Sequence, residues 1–93
     1  RITRQVLVEG RPVALTPREH ALLEHLLLRR GEPVSRTELL EKVWEMTFDP
    51  GTNVVDVLVG RVRRKLRAAW ARLAVEAVRG VGFVVRDGAD AEA

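Results

Sequence analysis

The sequence predicts an α+β fold with N-terminal antiparallel strands, three helices and a C-terminal β-hairpin, and three observations predict it. Apolar residues change period along the chain, from short strand-like runs at both ends to leucine and valine stripes at helical spacing between them. Two helix-start signatures, Thr16-Pro17-Arg18-Glu19 and Ser35-Arg36-Thr37-Glu38, divide that middle region. Turn chemistry then sets off a third helix, with Asp49-Pro50-Gly51 before it and Gly80 and Gly82 after it.

Each element has its own warrant. QVLVEGRPVALT, residues 5–16, has an apolar run, a Glu-Gly-Arg-Pro turn and a second short run, the pattern of a hairpin. Thr16 is the N-cap of the first helix, with Pro17 at its first position and Glu19 placed to complete a capping box. Leu22, Leu23, Leu26 and Leu27 form its core face, and Gly31 closes it. Ser35 and Glu38 repeat the box, with Val34 and Leu39 as a hydrophobic staple, and this second helix should end near Trp44 or Glu45. Residues 46–52, MTFDPGT, form a loop. The third helix then runs from about residue 52 to about residue 70, its core stripe continuing through Trp70 and Leu73. AVEAVRGVGFVVR, residues 74–86, reads as two strands around a turn at Arg79 to Gly82. We expect one domain over residues 1–87 and a disordered polar tail over 88–93. Helix-turn-helix followed by a β-hairpin is the winged-helix arrangement, with the wing at about 75–86.

Ninety-three residues with 46% hydrophobic content make one small core and exclude a disordered chain. No run approaches the ~18 apolar residues needed to span a bilayer, so we expect no membrane association. There is no cysteine, which removes disulfides and thiolate zinc sites and fits a reducing cytoplasm. The net charge of +3 is unevenly spread. Residues 1–52 balance eight cations against eight acids, whereas residues 53–79 hold seven cations against Asp56 and Glu76, a net +5. A basic segment on a balanced domain is the footprint of a polyanion binder.

That segment opens with NVVDVLVGRVRRKL, residues 53–66. Val55, Leu58, Val59, Val62 and Leu66 share one helical side, while Asn53, Val57, Gly60, Arg61, Arg64 and Arg67 share the other, with Val54 near its edge. Arg63 and Lys65 flank the borders. Valines on a basic face suit contact better than water, because they add neither solubility nor helix propensity.

Taken together, LTPREHALLEHLLLRRGEPVSRTELLEKVW, FDPGTNVVDV, RRKL and VRGVGF resemble the C-terminal effector domain of OmpR/PhoB-type response regulators. The resemblance covers roughly residues 6–86, nearly the whole chain. It implies a winged helix-turn-helix that binds double-stranded DNA at tandem direct repeats, dimerises there, and follows a phosphorylated receiver domain lying outside these residues. The first strands of the family sheet look clipped here, as expected for a piece of a longer protein. Carried over by position, it places Arg61 at a base-reading position, with Val54 and Val57 beside it for methyl contact to thymine. Asn53, Arg63 and Arg64 fall at or near backbone contacts, Arg79 heads the wing toward the minor groove, and Trp44 matches the tryptophan at the end of helix two. The loop residues Met46, Phe48 and Asp49 are implied as a contact for RNA polymerase. Met46 and Phe48 are apolar residues in a turn-rich segment expected to be exposed, the alternative being that Phe48 folds inward and caps the core between helices two and three. The sequence departs from the family where Leu58 replaces a frequent His, Gly60 a frequent Arg or Ser, His20 an aromatic and Ala77 a Thr.

Other roles stand beside these. Arg63 has a second reading as a partner of Asp56, Arg79 as a partner of Glu76, and Trp44 as a core residue. His20 and His25 share one helix without a third ligand, which makes a poor metal site. No cofactor is called for, and catalysis lacks its parts: no cysteine or tyrosine, one serine already placed at a helix cap, and no glycine-rich phosphate loop. Two alternatives to the response-regulator reading remain, a winged helix used as a protein-interaction module and the DNA-binding domain of a regulator without a receiver.

Overall fold

In the computed structural model, residues 4–8, 11–46, 51, 53–69 and 73–87 are described. The order is β1 (Arg4–Val8), β2 (Arg11–Leu15), α1 (Pro17–Leu28), α2 (Arg36–Val43), α3 (Val54–Ala68), β3 (Leu73–Val78) and β4 (Gly82–Asp87). This is the predicted α+β winged helix.

The first hairpin is tighter than the sequence suggested. β1 and β2 pair antiparallel in the register Val6↔Val13 and Val8↔Arg11, so Arg11 and Pro12 belong to the strand and not to the turn. Val13 and Leu15 are buried while Pro12 and Ala14 are exposed, the period-two alternation of a sheet with one covered face.

α1 starts at the full capping box. Thr16 Oγ1 accepts from the Glu19 N–H at 3.3 Å, and the Thr16 N–H donates to Glu19 Oε1 at 2.9 Å. Helix α1 ends at Leu28, three residues before the left-handed Gly31. The second box is closed on one side only. Ser35 Oγ accepts from the Glu38 N–H at 3.1 Å, but the Glu38 carboxylate turns away from the cap. Its Oε2 accepts from Arg29 Nη1 at 2.8 Å and lies 2.7 Å from His25 Nε2. These partners, His25 foremost, hold the Glu38 carboxyl below the usual carboxylate range. His25 thus joins α1 to α2. Trp44 caps α2, and the chain then turns through Glu45 at φ 56°.

Leu22, Leu26, Leu39, Val62 and Leu66 sit at the centre of one core, and Val34, Val75 and Val85 seal it from the wing side. Val55, Leu58, Val59, Val62 and Leu66 are all buried along α3, but the helix ends at Ala68 and Leu73, expected to continue its stripe, begins β3. β3 and β4 pair in the register Val75↔Val85. The wing they form is tied back to the chain before α2. The Val34 N–H donates to the Phe83 carbonyl at 2.7 Å and the Phe83 N–H to the Val34 carbonyl at 2.9 Å. That approach explains Gly82. A Cβ there would collide with the Val34 carbonyl and stand 2.8 Å from the Ser35 Cα, so only glycine fits. Trp70 and the tail 88–93 lie outside the described residues.

Candidate nucleic-acid interface

The candidate surface is built on the solvent side of α3. Burial of Val55, Leu58, Val59, Val62 and Leu66 fixes the roll of the helix, and that roll leaves Asn53, Val57, Arg61, Arg63 and Arg64 facing out. Val57 is 44% exposed, and it stands one turn before Arg61. Asn53 is the N-cap residue, but its side chain makes no capping hydrogen bond, so its amide is not spent on its own helix. Gly60 meets no crowded neighbour: only Arg64 Nη1, at 3.6 Å, lies near the place of a Cβ. Intradomain packing therefore does not demand glycine at this position.

The structure brings five of the sequence-assigned residues together. Trp44, Asn53, Val54, Val57 and Arg61 line a depression of about 500 Å³ between α3 and the start of α1, completed by Thr16, Pro17, Arg18 and Leu58. Trp44 is half-buried against the core, as its core reading expected, and also lines the depression. The Arg18 guanidinium lies 5.6 Å above its ring, a cation–π contact that adds a second charge to the basic rim. Arg18 escaped the sequence reading because it sits inside a capping box, where a helical role accounts for it fully.

Arg63 is set apart from Arg61. It shares a shallow depression with Arg67 and Glu76 between α3 and β3, on the wing side of the helix. Its alternative partner, Asp56, is taken by Arg36 at 2.6 Å. The alternative partner of Arg79 is likewise taken, since Glu76 pairs with Arg86 at 3.3 Å. Arg79 stands exposed in the turn between β3 and β4, beside Gly80 and the 52% exposed Val81.

Lys65, at the border of the basic face, is engaged within the fold: its Nζ donates to Glu19 Oε1 at 2.6 Å, and Glu19 is 2% exposed. Burial alone would push the Glu19 carboxyl up, but the hydrogen bonds from Lys65 and Thr16 outweigh it and hold the group below its usual range. The start of α1 is thereby fastened to α3. The expected exposure of Met46 needs correction. Met46 is half-buried against the core, and its N–H donates to the Leu40 carbonyl at 3.0 Å, which draws the chain inward after α2. Phe48 and Asp49 lie outside the described residues.

Among the described residues no helix is long and apolar enough to cross a membrane. Residues 10–85 match the family model described as transcriptional regulatory protein, C terminal. The chain is 47% identical over 83 residues to the transcriptional regulatory protein PrrA of Mycobacterium tuberculosis, covering 89% of this chain and 36% of PrrA. It is 38% identical over 86 residues to the response regulator MprA of Mycolicibacterium vanbaalenii, covering 92% of this chain and 37% of MprA. The chain therefore spans little more than a third of the length of these curated relatives. Its structure is similar to the Klebsiella pneumoniae RstA DNA-binding domain crystallised in complex with the RstA box, with a TM-score of 0.76, 31% identity, and coverage of 89% of this chain and 83% of that one. With the winged fold, the outward basic face of α3 and these matches in agreement, the chain belongs to the family of C-terminal domains of transcriptional regulatory proteins, the OmpR/PhoB type that its sequence resembles.

Proposed function

We propose that residues 1–87 act by binding double-stranded DNA sequence-specifically, as the effector domain of a two-component response regulator that controls transcription in the cytoplasm. The observation that carries this reading is the outward face of α3, where Asn53, Val57, Arg61 and Arg64 are all exposed on a helix whose opposite side is core. Arginines at helical spacing supply forked donors for guanine edges and phosphates, and Val54 and Val57, in the turns before them, supply apolar contact for thymine methyls. Arg61, with Val54 and Val57, reads bases in the major groove. Asn53, Arg63, Arg64 and Trp44 hold the backbone, and Arg79 carries the wing toward the minor groove. The domain works by binding and not by catalysis, and needs no cofactor.

The proposal extends to the longer protein, supported by the family and by the length of the relatives. A receiver domain belongs to the longer protein, two copies bind tandem direct repeats as a dimer, and the loop containing Met46, Phe48 and Asp49 meets RNA polymerase. The MprA and RstA likenesses support this reading over a protein-interaction module.

The test is selection of duplexes from a random pool, followed by a salt titration. Neutralising about five phosphates gives a log–log salt slope near −4.5, at about −0.9 per phosphate. Salt-independent association, or no enrichment above background, refutes the proposal.

A further inference from the structure

Arg36, the first residue of α2, makes polar contact with both α3 and the wing, two elements that also pack on each other through the core. Its Nη2 donates to Asp56 Oδ1 at 2.6 Å, and its guanidinium lies 5.1 Å above the ring of Phe83. Asp56 stands in the first turn of α3, between Val54 and Val57 in sequence but on the flank of the helix, and is the only acid on that helix. Phe83 stands in β4, 4% exposed, at the point where the wing bonds to Val34. A planar guanidinium suits both contacts, because it presents forked donors at its edge and a flat face to the ring.

We infer that Arg36 is a positioning residue for DNA recognition: it neutralises Asp56 and couples α3 to the wing, so that the two meet DNA in a fixed relation. This inference rests on the DNA-binding reading above. An unpaired, exposed carboxylate at the flank of the basic face of α3 would repel the phosphates of a bound duplex. A counter-charge held on the neighbouring helix removes that repulsion without adding another residue to the groove. The ion pair is half-exposed, with side chains 53% and 44% accessible, so in the free domain it adds little to stability. Its effect falls on the complex, where water is displaced and like charges in apposition are costly.

The discriminating measurement is a double-mutant cycle on the 93-residue chain, using a duplex enriched by the wild-type chain from a random pool. Arg36→Ala should weaken binding by roughly tenfold or more through the unmasked charge, with the thermal midpoint nearly unmoved. In the Asp56→Asn background the same change should cost no more than about threefold, because no charge remains to unmask. Amide exchange supplies a second readout. The Val34 and Phe83 amides should exchange faster in Arg36→Ala while those within α1 are unchanged, and Arg36→Lys, which keeps the charge and loses the flat face, should restore affinity more fully than protection.

If Arg36 instead contacts phosphate directly, its loss costs the same in the wild-type and Asp56→Asn backgrounds. An additive cycle therefore overturns this inference and leaves the DNA reading intact. Unchanged exchange at Val34 and Phe83 overturns the coupling to the wing. Failure of the wild-type chain to enrich any duplex overturns the DNA reading, and this inference with it.

Discussion

Replacing Gly82 by alanine should detach the wing from the body of the domain. The added Cβ meets backbone, 2.7 Å from the Val34 carbonyl carbon and 2.8 Å from the Ser35 Cα, so no side-chain rotation can relieve it. The segment before α2 and strand β4 must move apart, which breaks the paired hydrogen bonds of 2.7 and 2.9 Å between Val34 and Phe83. Each such bond contributes about 1 kcal/mol net, and part of the Phe83 burial goes with them, so the loss is about 2–3 kcal/mol. At about 4–8 °C per kcal/mol for a domain of this size, the melting midpoint should fall by about 10–20 °C. Gly80→Ala is the control. Gly80 has φ 77° with no atom within 4 Å of a Cβ, so its replacement carries only left-handed strain, about 1 kcal/mol. Thermal melts followed by circular dichroism, with amide exchange at Val34, separate the two variants. If Gly82→Ala costs no more than Gly80→Ala, the close approach does not hold the wing and the reasoning is wrong.

The other predictions concern charge and contact. The lowered Glu19 carboxyl contributes stability that is present above the ordinary carboxylate pKa and is lost as pH falls through the folded value. Lys65→Met should therefore reduce stability at neutral pH by about 1–2 kcal/mol, discounted because Lys65 is 36% exposed, and should flatten the acid-side fall in urea midpoints. An unaltered pH profile would show that the pair does not set the Glu19 titration. Arg61→Ala should cost roughly 1–3 kcal/mol at one base position and relax preference there. Arg64→Ala should weaken all duplexes about equally and lower the salt slope by about one; identical behaviour of the two would contradict the division between base and backbone roles. Because Met46 packs on the core, Met46→Ala should cost stability by about 1 kcal/mol and confuse any transcription assay. Asp49→Ala in the longer protein is the cleaner variant: transcription should fall at constant operator affinity, and no change would remove the case for a polymerase contact.

Local chemistry determined much of this protein before any packing was known. Caps and turns act over three or four residues, so Thr16, Ser35 and the glycines around the wing marked the element ends within a few residues of where they fall. Helical period settled which side of α3 is core, because one apolar stripe must face inward, and so it also settled which arginines face out. Partner choice between distant elements carries no such local mark. That Glu38 leaves its own cap for His25 and Arg29, that Lys65 crosses to Glu19 and that Arg36 takes Asp56 depend on how α1, α2 and α3 lie against one another. The need for glycine at position 82 is of the same kind: the sequence placed a turn there, but the Val34 carbonyl that forbids a Cβ is brought in by a segment 48 residues earlier in the chain, only when the core closes.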